Sequence, residues 1–286
     1  MSKPQDSVFG RAALKVLRIA VLVYLGLAVV LAVGQRRYIY YPQRESEGRL
    51  RLMAKSSGLQ PWIAENGETI GWRTPPVPEG QGSGRIVLVF HGNAGYSMHR
   101  TYFSDCLMGL PKGDIEAVYL FEYPGYGARS GEPSEKSIKD AASAAFNILA
   151  RDGGSRIYLL GESLGGGAAC YLAGAYPDRV AGVFLVTPFS SLVDVAKYHY
   201  PILPVSLLLR ERYDNVAALK SYHGPLAVLV ASHDEVVPAR LGRRLYESYA
   251  GTKRLWEVDS SHNTLLYDAL ADWWLAAWDF LFTAGR

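Results

Sequence analysis

Apolar and polar positions fall into two regimes along this chain. From residue 19 to residue 35 (IAVLVYLGLAVVLAVGQ) seventeen positions pass without a charge. Beyond about residue 60 the pattern becomes short, nearly continuous apolar runs separated by longer stretches with helical spacing. The runs are 85–90 (RIVLVF), 115–121 (IEAVYLF), 156–160 (RIYLL), 180–186 (VAGVFLV), 226–231 (LAVLVA) and, less purely, 254–258 (RLWEV). Such runs suit strands of a parallel sheet covered on both faces, where no alternation is needed. Between them, 134–151 carries Ile138, Ala141, Ala145, Ile148 and Leu149 at helical spacing behind Pro133-Ser134. Stretch 164–175 is rich in small residues, 239–249 is amphipathic, and 264–282 closes the chain. Ahead of the runs, 63–64 and 69–73 flank Asn66-Gly67, a hairpin turn signal. The pattern predicts an antiparallel lead-in followed by an open, mostly parallel α/β sheet. Ligands are then expected at the carboxyl ends of the strands.

The charge-free run reads differently. As a helix it extends about 26 Å at 1.5 Å per residue, a little short of the ~30 Å hydrocarbon core of a bilayer. Lys15 and Arg18 before it and Arg36 and Arg37 after it can snorkel outward and close the gap. Tyr38, Tyr40 and Tyr41 follow at once, as in an aromatic belt. This predicts a single-pass anchor within 1–35 ahead of one domain over 36–286. The rival is a cleaved signal peptide ending at Ala32-Val33-Gly34. Against it, the run exceeds the usual ~7–15 residues and a basic pair follows directly. Basic residues on the two sides nearly balance, so the positive-inside rule assigns no orientation.

Composition narrows the classes. With 49% hydrophobic and 20% charged residues the chain is not intrinsically disordered, and a single spanning run excludes a polytopic membrane protein. A net charge of +3 is too small to argue for nucleic acid. Residues 1–55 hold ten basic and three acidic side chains, leaving 20 and 24 for the rest. A basic head on a mildly acidic body suits contact with anionic lipid. Cys106 and Cys170 form no Cys-x-x-Cys and read as free thiols, and no zinc-type spacing occurs. No metal or cofactor is expected.

The strongest chemical signal follows the run 156–160. It reads Gly161-Glu162-Ser163-Leu164-Gly165-Gly166-Gly167, and a helical stretch comes next. A Gly-x-Ser-x-Gly on a strand-to-helix turn holds its serine at a sharp bend, with glycines where Cβ atoms would clash. Ser163 is therefore the candidate nucleophile, and the Leu164 N–H at the helix start is a candidate oxyanion donor. A serine hydroxyl needs a base. In the chain order Ser, acid, His, the histidine must follow the last strands, which selects His262 from the six histidines. The acid should end the run 226–231, and Asp234 does, with Glu235 and Asp194 as rivals. The second oxyanion donor should come from His91-Gly92-Asn93-Ala94-Gly95, after the run 85–90. Asn93 is favoured, with Ala94 as the alternative.

These residues, together with 38–42 (YIYYP), 91–95 (HGNAG), 123–127 (YPGYG), 234–238 (DEVVP) and Ser261-His262-Asn263, resemble the serine α/β-hydrolase superfamily. Within it, the chain is most similar to the membrane-anchored group named after the fungal Bem46 proteins, over roughly residues 36–283. The resemblance implies a mostly parallel eight-stranded sheet with helices on both faces and a small lid. It also implies a triad of Ser163, Asp234 and His262. One local departure is Ala231-Ser232, where relatives commonly carry glycine before the acid's loop.

The lid is expected at about 190–222. Within it, Tyr198, Tyr200, Ile202, Leu203, Leu207 and Leu208 can line an acyl pocket, dip toward lipid, or simply pack on the core. The leading expectation is a serine hydrolase acting on an acyl ester, thioester or lipid-like substrate, held at the membrane by its first helix. A serine aminopeptidase is a second reading. It needs an acidic site for the substrate's amino group, for which Glu211 and Asp214 are the candidates near the lid. A non-catalytic membrane scaffold is the third.

Overall fold

The computed structural model describes residues 5–75, 77, 83–110, 115–151, 153–265 and 272–284. Among them, eight strands form one sheet: β1 Gln60–Ile63, β2 Thr69–Arg73, β3 Arg85–Phe90, β4 Ala117–Phe121, β5 Arg156–Glu162, β6 Val180–Val186, β7 Leu226–Ala231 and β8 Lys253–Val258. Their spatial order is β8-β7-β6-β5-β3-β4-β2-β1. β2 runs antiparallel to both its neighbours, and the remaining pairs are parallel. Strands β3 and β7 are buried at every position. Neither face of these strands meets water, which is why their sequences do not alternate.

Helices cover both faces. Phe184 and Leu185 are consecutive in β6 and so point to opposite sides. Phe184 packs against Trp274 and Trp278 of the helix Asp272–Ala284. On the Leu185 side lies the helix Gly165–Ala175, close enough that a Cβ on Gly166 would sit 3.6 Å from the leucine. The helix Glu135–Leu149 is closed by a capping box between Ser134 and Ser137. It packs on Gly165–Ala175, with Phe146 stacked on Tyr176.

Most predicted elements appear within a few residues of their sequence limits. The last helix was expected over 264–282; residues 266–271 lie outside the described residues, and beyond them it is helical from Asp272 to Ala284. Two further helices, Glu47–Ser56 and Thr101–Met108, were not anticipated. Both cysteines are free, Cys170 fully buried and Cys106 half-buried.

The apolar run lies within a 30-residue helix, α1 Gln5–Gly34, of which Gly10–Gly34 is long and apolar enough to cross a membrane. A single turn, Arg36–Ile39, leads from it into a short parallel pairing of Tyr41–Pro42 with Ala94–Gly95. The end of α1 is thereby stitched to the loop after β3.

Candidate active site

Ser163 sits between the end of β5 and the helix Gly165–Ala175 with φ +51°, a left-handed backbone that side chains other than glycine rarely adopt. Its neighbours explain how the bend is possible. A Cβ on Gly161 would lie 2.7 Å from Gly166, and one on Gly165 would lie 2.2 Å from the Phe90 carbonyl oxygen. Only glycine allows the helix start to press against β3 and β5 this closely. The Ser163 N–H donates to the Val186 carbonyl at 2.8 Å and its own carbonyl accepts from Gly166 N–H at 3.0 Å. Sheet and helix thus fix the strained residue from both sides.

Asp234 is buried in the turn that follows β7. Its Oδ1 accepts from the N–H groups of Val236 at 2.9 Å and Val237 at 2.6 Å, and its Oδ2 accepts from His262 Nδ1 at 2.6 Å. The backbone donors aim the carboxylate, and the carboxylate aims the imidazole so that Nδ1 carries the proton. Among the described residues, neither His262 Nε2 nor the Ser163 hydroxyl has a hydrogen-bond partner. The rivals for the acid are accounted for elsewhere. Glu235 is exposed, and the Asp194 carboxylate accepts from the hydroxyls of Ser190 and Ser191, while Ser191 Oγ in turn caps the helix by accepting from the Asp194 N–H.

The loop after β3 is held by side chains on three sides. Asn93 Nδ2 donates to the Ile39 carbonyl at 3.1 Å, while its carbonyl accepts from Tyr126 Oη at 2.8 Å and Tyr41 N–H at 3.0 Å. Tyr123 Oη donates to the His91 carbonyl at 2.6 Å. The buried tyrosines of 123–127 are therefore loop supports and not substrate contacts. His91 is a buried support as well. Its ring stacks on Tyr123 at 4.0 Å, its Nδ1 donates to the Gly92 carbonyl at 2.7 Å, and its Nε2 lies 3.2 Å from Glu122.

Asn93, Ser163 and Leu164 all line one cavity of about 360 Å³, within the ~300–1,000 Å³ typical of small-molecule sites. Ala94 does not line it. Its other walls are apolar: Phe189, Leu192 and Val195 on one side, and Leu203, Val205 and Leu208 from the expected lid. Tyr198 does not line the cavity and is partly exposed. Tyr200, Leu203 and Leu208 face the cavity, whereas Ile202 and Leu207 point away from it and are exposed. None of the six packs into the core.

Sequence reasoning missed the remaining wall, which is the end of α1: Leu31, Ala32 and Gln35. A buried polar cluster clamps it there. Gln35 Oε1 accepts from Arg210 N–H at 2.7 Å. Glu211 receives Arg36 Nε at 2.8 Å, Tyr40 Oη at 2.7 Å and the Glu135 N–H. Burial alone would push the Glu211 carboxyl up, but these donors reverse the effect and hold it below the ordinary carboxylate value. Glu211 is thus already paired, and Asp214 caps the turn at Ala217. The acidic groups that an amine-binding site would need are both occupied. Among the described residues no group of three His, Cys, Asp or Glu side chains could hold a metal ion.

Residues 85–219 match the family model for the α/β hydrolase fold. A protein of Mycobacterium tuberculosis, itself uncharacterised, is 35% identical over 245 residues, 85% of each chain. The chain belongs to the α/β-hydrolase superfamily. A further relative is the rat lysophosphatidylserine lipase, 31% identical over 191 residues, which cover 59% of this hydrolase and 46% of that protein. Against this lipase the hydrolase matches about half the relative's length. Among solved structures, an esterase of Pyrococcus furiosus superposes with a TM-score of 0.65 over 87% of this chain and 98% of its own, at 17% identity. That likeness is one of fold.

Proposed function

We propose that this hydrolase is a membrane-anchored serine esterase, cleaving carboxylic ester or thioester bonds of acyl substrates through an acyl-enzyme. Two observations at the carboxyl ends of the parallel strands support the reading. A serine on a left-handed turn opens into an apolar cavity, and an Asp-bound imidazole is carried by the loop after β8. In this reading Ser163 Oγ attacks the acyl carbon while His262 Nε2 takes its proton. Asp234 holds the imidazole in the required tautomer and stabilises the imidazolium. The Asn93 and Leu164 N–H groups bind the oxyanion. The imidazolium then protonates the leaving alcohol or thiol, and water repeats the sequence on the acyl-enzyme. The serine–imidazole hydrogen bond is open in this arrangement, and such contacts commonly tighten when substrate binds.

Ester and lipid chemistry in the relatives' names supports the substrate class, as do the apolar cavity walls. The anchoring rests on the length and composition of α1 and on the exposed Tyr38 and Tyr41 just beyond it. The direct test is turnover of a series of acyl p-nitrophenyl esters by wild type and Ser163→Ala. The variant should lose at least about 10⁴-fold in kcat, with its melting temperature unchanged. Turnover retained in Ser163→Ala would remove the serine from the mechanism.

A further inference from the structure

The lid and α1 meet along a line that bears on where the enzyme works. Tyr24, Ala28, Leu31, Ala32 and Gln35 recur at helical spacing and share one face of α1. Ala28 and Gln35 are buried and Tyr24, Leu31 and Ala32 half-buried, whereas the other apolar side chains between residues 19 and 33 are exposed. This stripe touches the lid at both ends. Tyr24 Oη donates to the Ile202 carbonyl at 2.7 Å, and Gln35 Nε2 donates to the Leu208 carbonyl at 3.2 Å. Tyr24 and Gln35 are eleven residues apart, or about 16 Å along a helix. The lid therefore runs beside more than half of the charge-free span.

The lid's outer surface suits the same surroundings. Residues 198–209 contain no Asp, Glu, Lys or Arg. Ile202 is 80% exposed and Leu207 86%, with Tyr198 and Tyr200 half open beside them. An exposed apolar patch on this scale calls for a partner. Here its continuity with a membrane-spanning surface names one, the hydrocarbon of the same leaflet. At the other end of the stripe Arg36, Arg37, Tyr38 and Tyr41 are exposed, the residue types found at the headgroup level. Tyr38 and Tyr41 line the cavity together with Ser163.

We infer that the lid segment 198–209 is itself immersed in the leaflet alongside α1. The cavity between them then admits the acyl chain of a leaflet-resident amphiphile laterally, its ester held at headgroup depth beside Ser163. The anchor is on this account a wall of the binding site as well as a tether. The immersion rests on the anchoring proposed above, and the catalytic consequence on the esterase reading as well.

Both parts are tested on the full chain in phosphatidylcholine vesicles. Ile202→Cys, in a Cys106→Ser background, carries an environment-sensitive fluorophore. Its emission should be quenched by lipids with a nitroxide on the acyl chain and spared by aqueous iodide. The reverse pattern would overturn the immersion whatever the enzyme's activity. For the route, Ile202→Glu with Leu207→Glu places charge on two exposed positions outside the cavity. Turnover of 1-monooleoylglycerol embedded in the vesicles should fall at least about ten-fold, the scale on which charged residues resist hydrocarbon. Turnover of soluble p-nitrophenyl butyrate should stay at the wild-type rate. An equal fall for both esters, or no fall for either, would overturn the lateral route. A wild type that cleaves neither ester would contradict the esterase reading while leaving the quenching result to decide the immersion.

Discussion

At Ser163 two local requirements coincide: a backbone turned to φ +51° and a helix start pressed against the neighbouring strand. Neither is attainable with ordinary side chains at 161 and 165, because the added methyl groups would fall inside the contact distance of backbone atoms that cannot swing aside. Gly165→Ala should therefore destabilise the fold by about 3 kcal/mol or more and lower ester turnover with it, as thermal unfolding and activity measured on the same preparation would reveal. An unchanged melting temperature would mean that the packing there is looser than described. Asp234 poses a different question, since it affects orientation more than packing. Asp234→Asn keeps the size but weakens the bond that fixes the tautomer of His262, so kcat should drop by about 10⁴-fold with little change in stability. A drop confined to KM would assign Asp234 to substrate binding instead.

The elements were legible in the sequence to the extent that their energetics are local. Continuous apolar runs located β3 to β7 because burial on both faces leaves little room for polar positions, whereas β8, the half-exposed edge strand, carries a less pure run. The Gly-x-Ser-x-Gly turn could be read because its steric requirements fall within seven residues. What escaped reading is long-range or lacks a strong period. Glu47–Ser56 buries only Leu50 and Ala54 among charged neighbours, so its stretch reads as a basic segment. The pairing of Arg36 with Glu211 joins residues 175 positions apart, and no local pattern announces it. That pairing makes its own prediction. The Glu211 carboxyl sits below its ordinary value of 4.5 when folded, so its stabilising contribution is complete above that value and disappears as pH falls through the depressed one. Wild type should lose more stability between about pH 5 and pH 3 than Glu211→Gln, which has no such proton to gain. Parallel losses in the two proteins would show that the cluster does not couple to the fold. At neutral pH the same variant should be destabilised by about 2–3 kcal/mol, because buried donors from Tyr40 and Glu135 lose their charged acceptor.

At the scale of the whole molecule, a hydrolase domain is joined to its apolar helix by packing as well as by sequence. Gln35, Arg36 and Tyr40 tie the helix end to the lid, and Tyr41–Pro42 pairs with the loop that follows β3. A domain merely tethered by a flexible stalk would show none of these contacts. The full chain should accordingly remain with the membrane through an alkaline carbonate wash and need detergent for release. Recovery in the wash would make α1 a peripheral or cleaved segment.

Nucleophilic attack by Ser163 is open to direct chemical trapping. Full-length protein would be treated with a fluorophosphonate, digested, and the adduct mapped by mass spectrometry, with Ser163→Ala and His262→Ala alongside. A single modification is expected on the peptide containing Ser163, absent in Ser163→Ala and strongly slowed in His262→Ala. Labelling of Ser163→Ala at the wild-type rate, or an adduct on another residue, would contradict it.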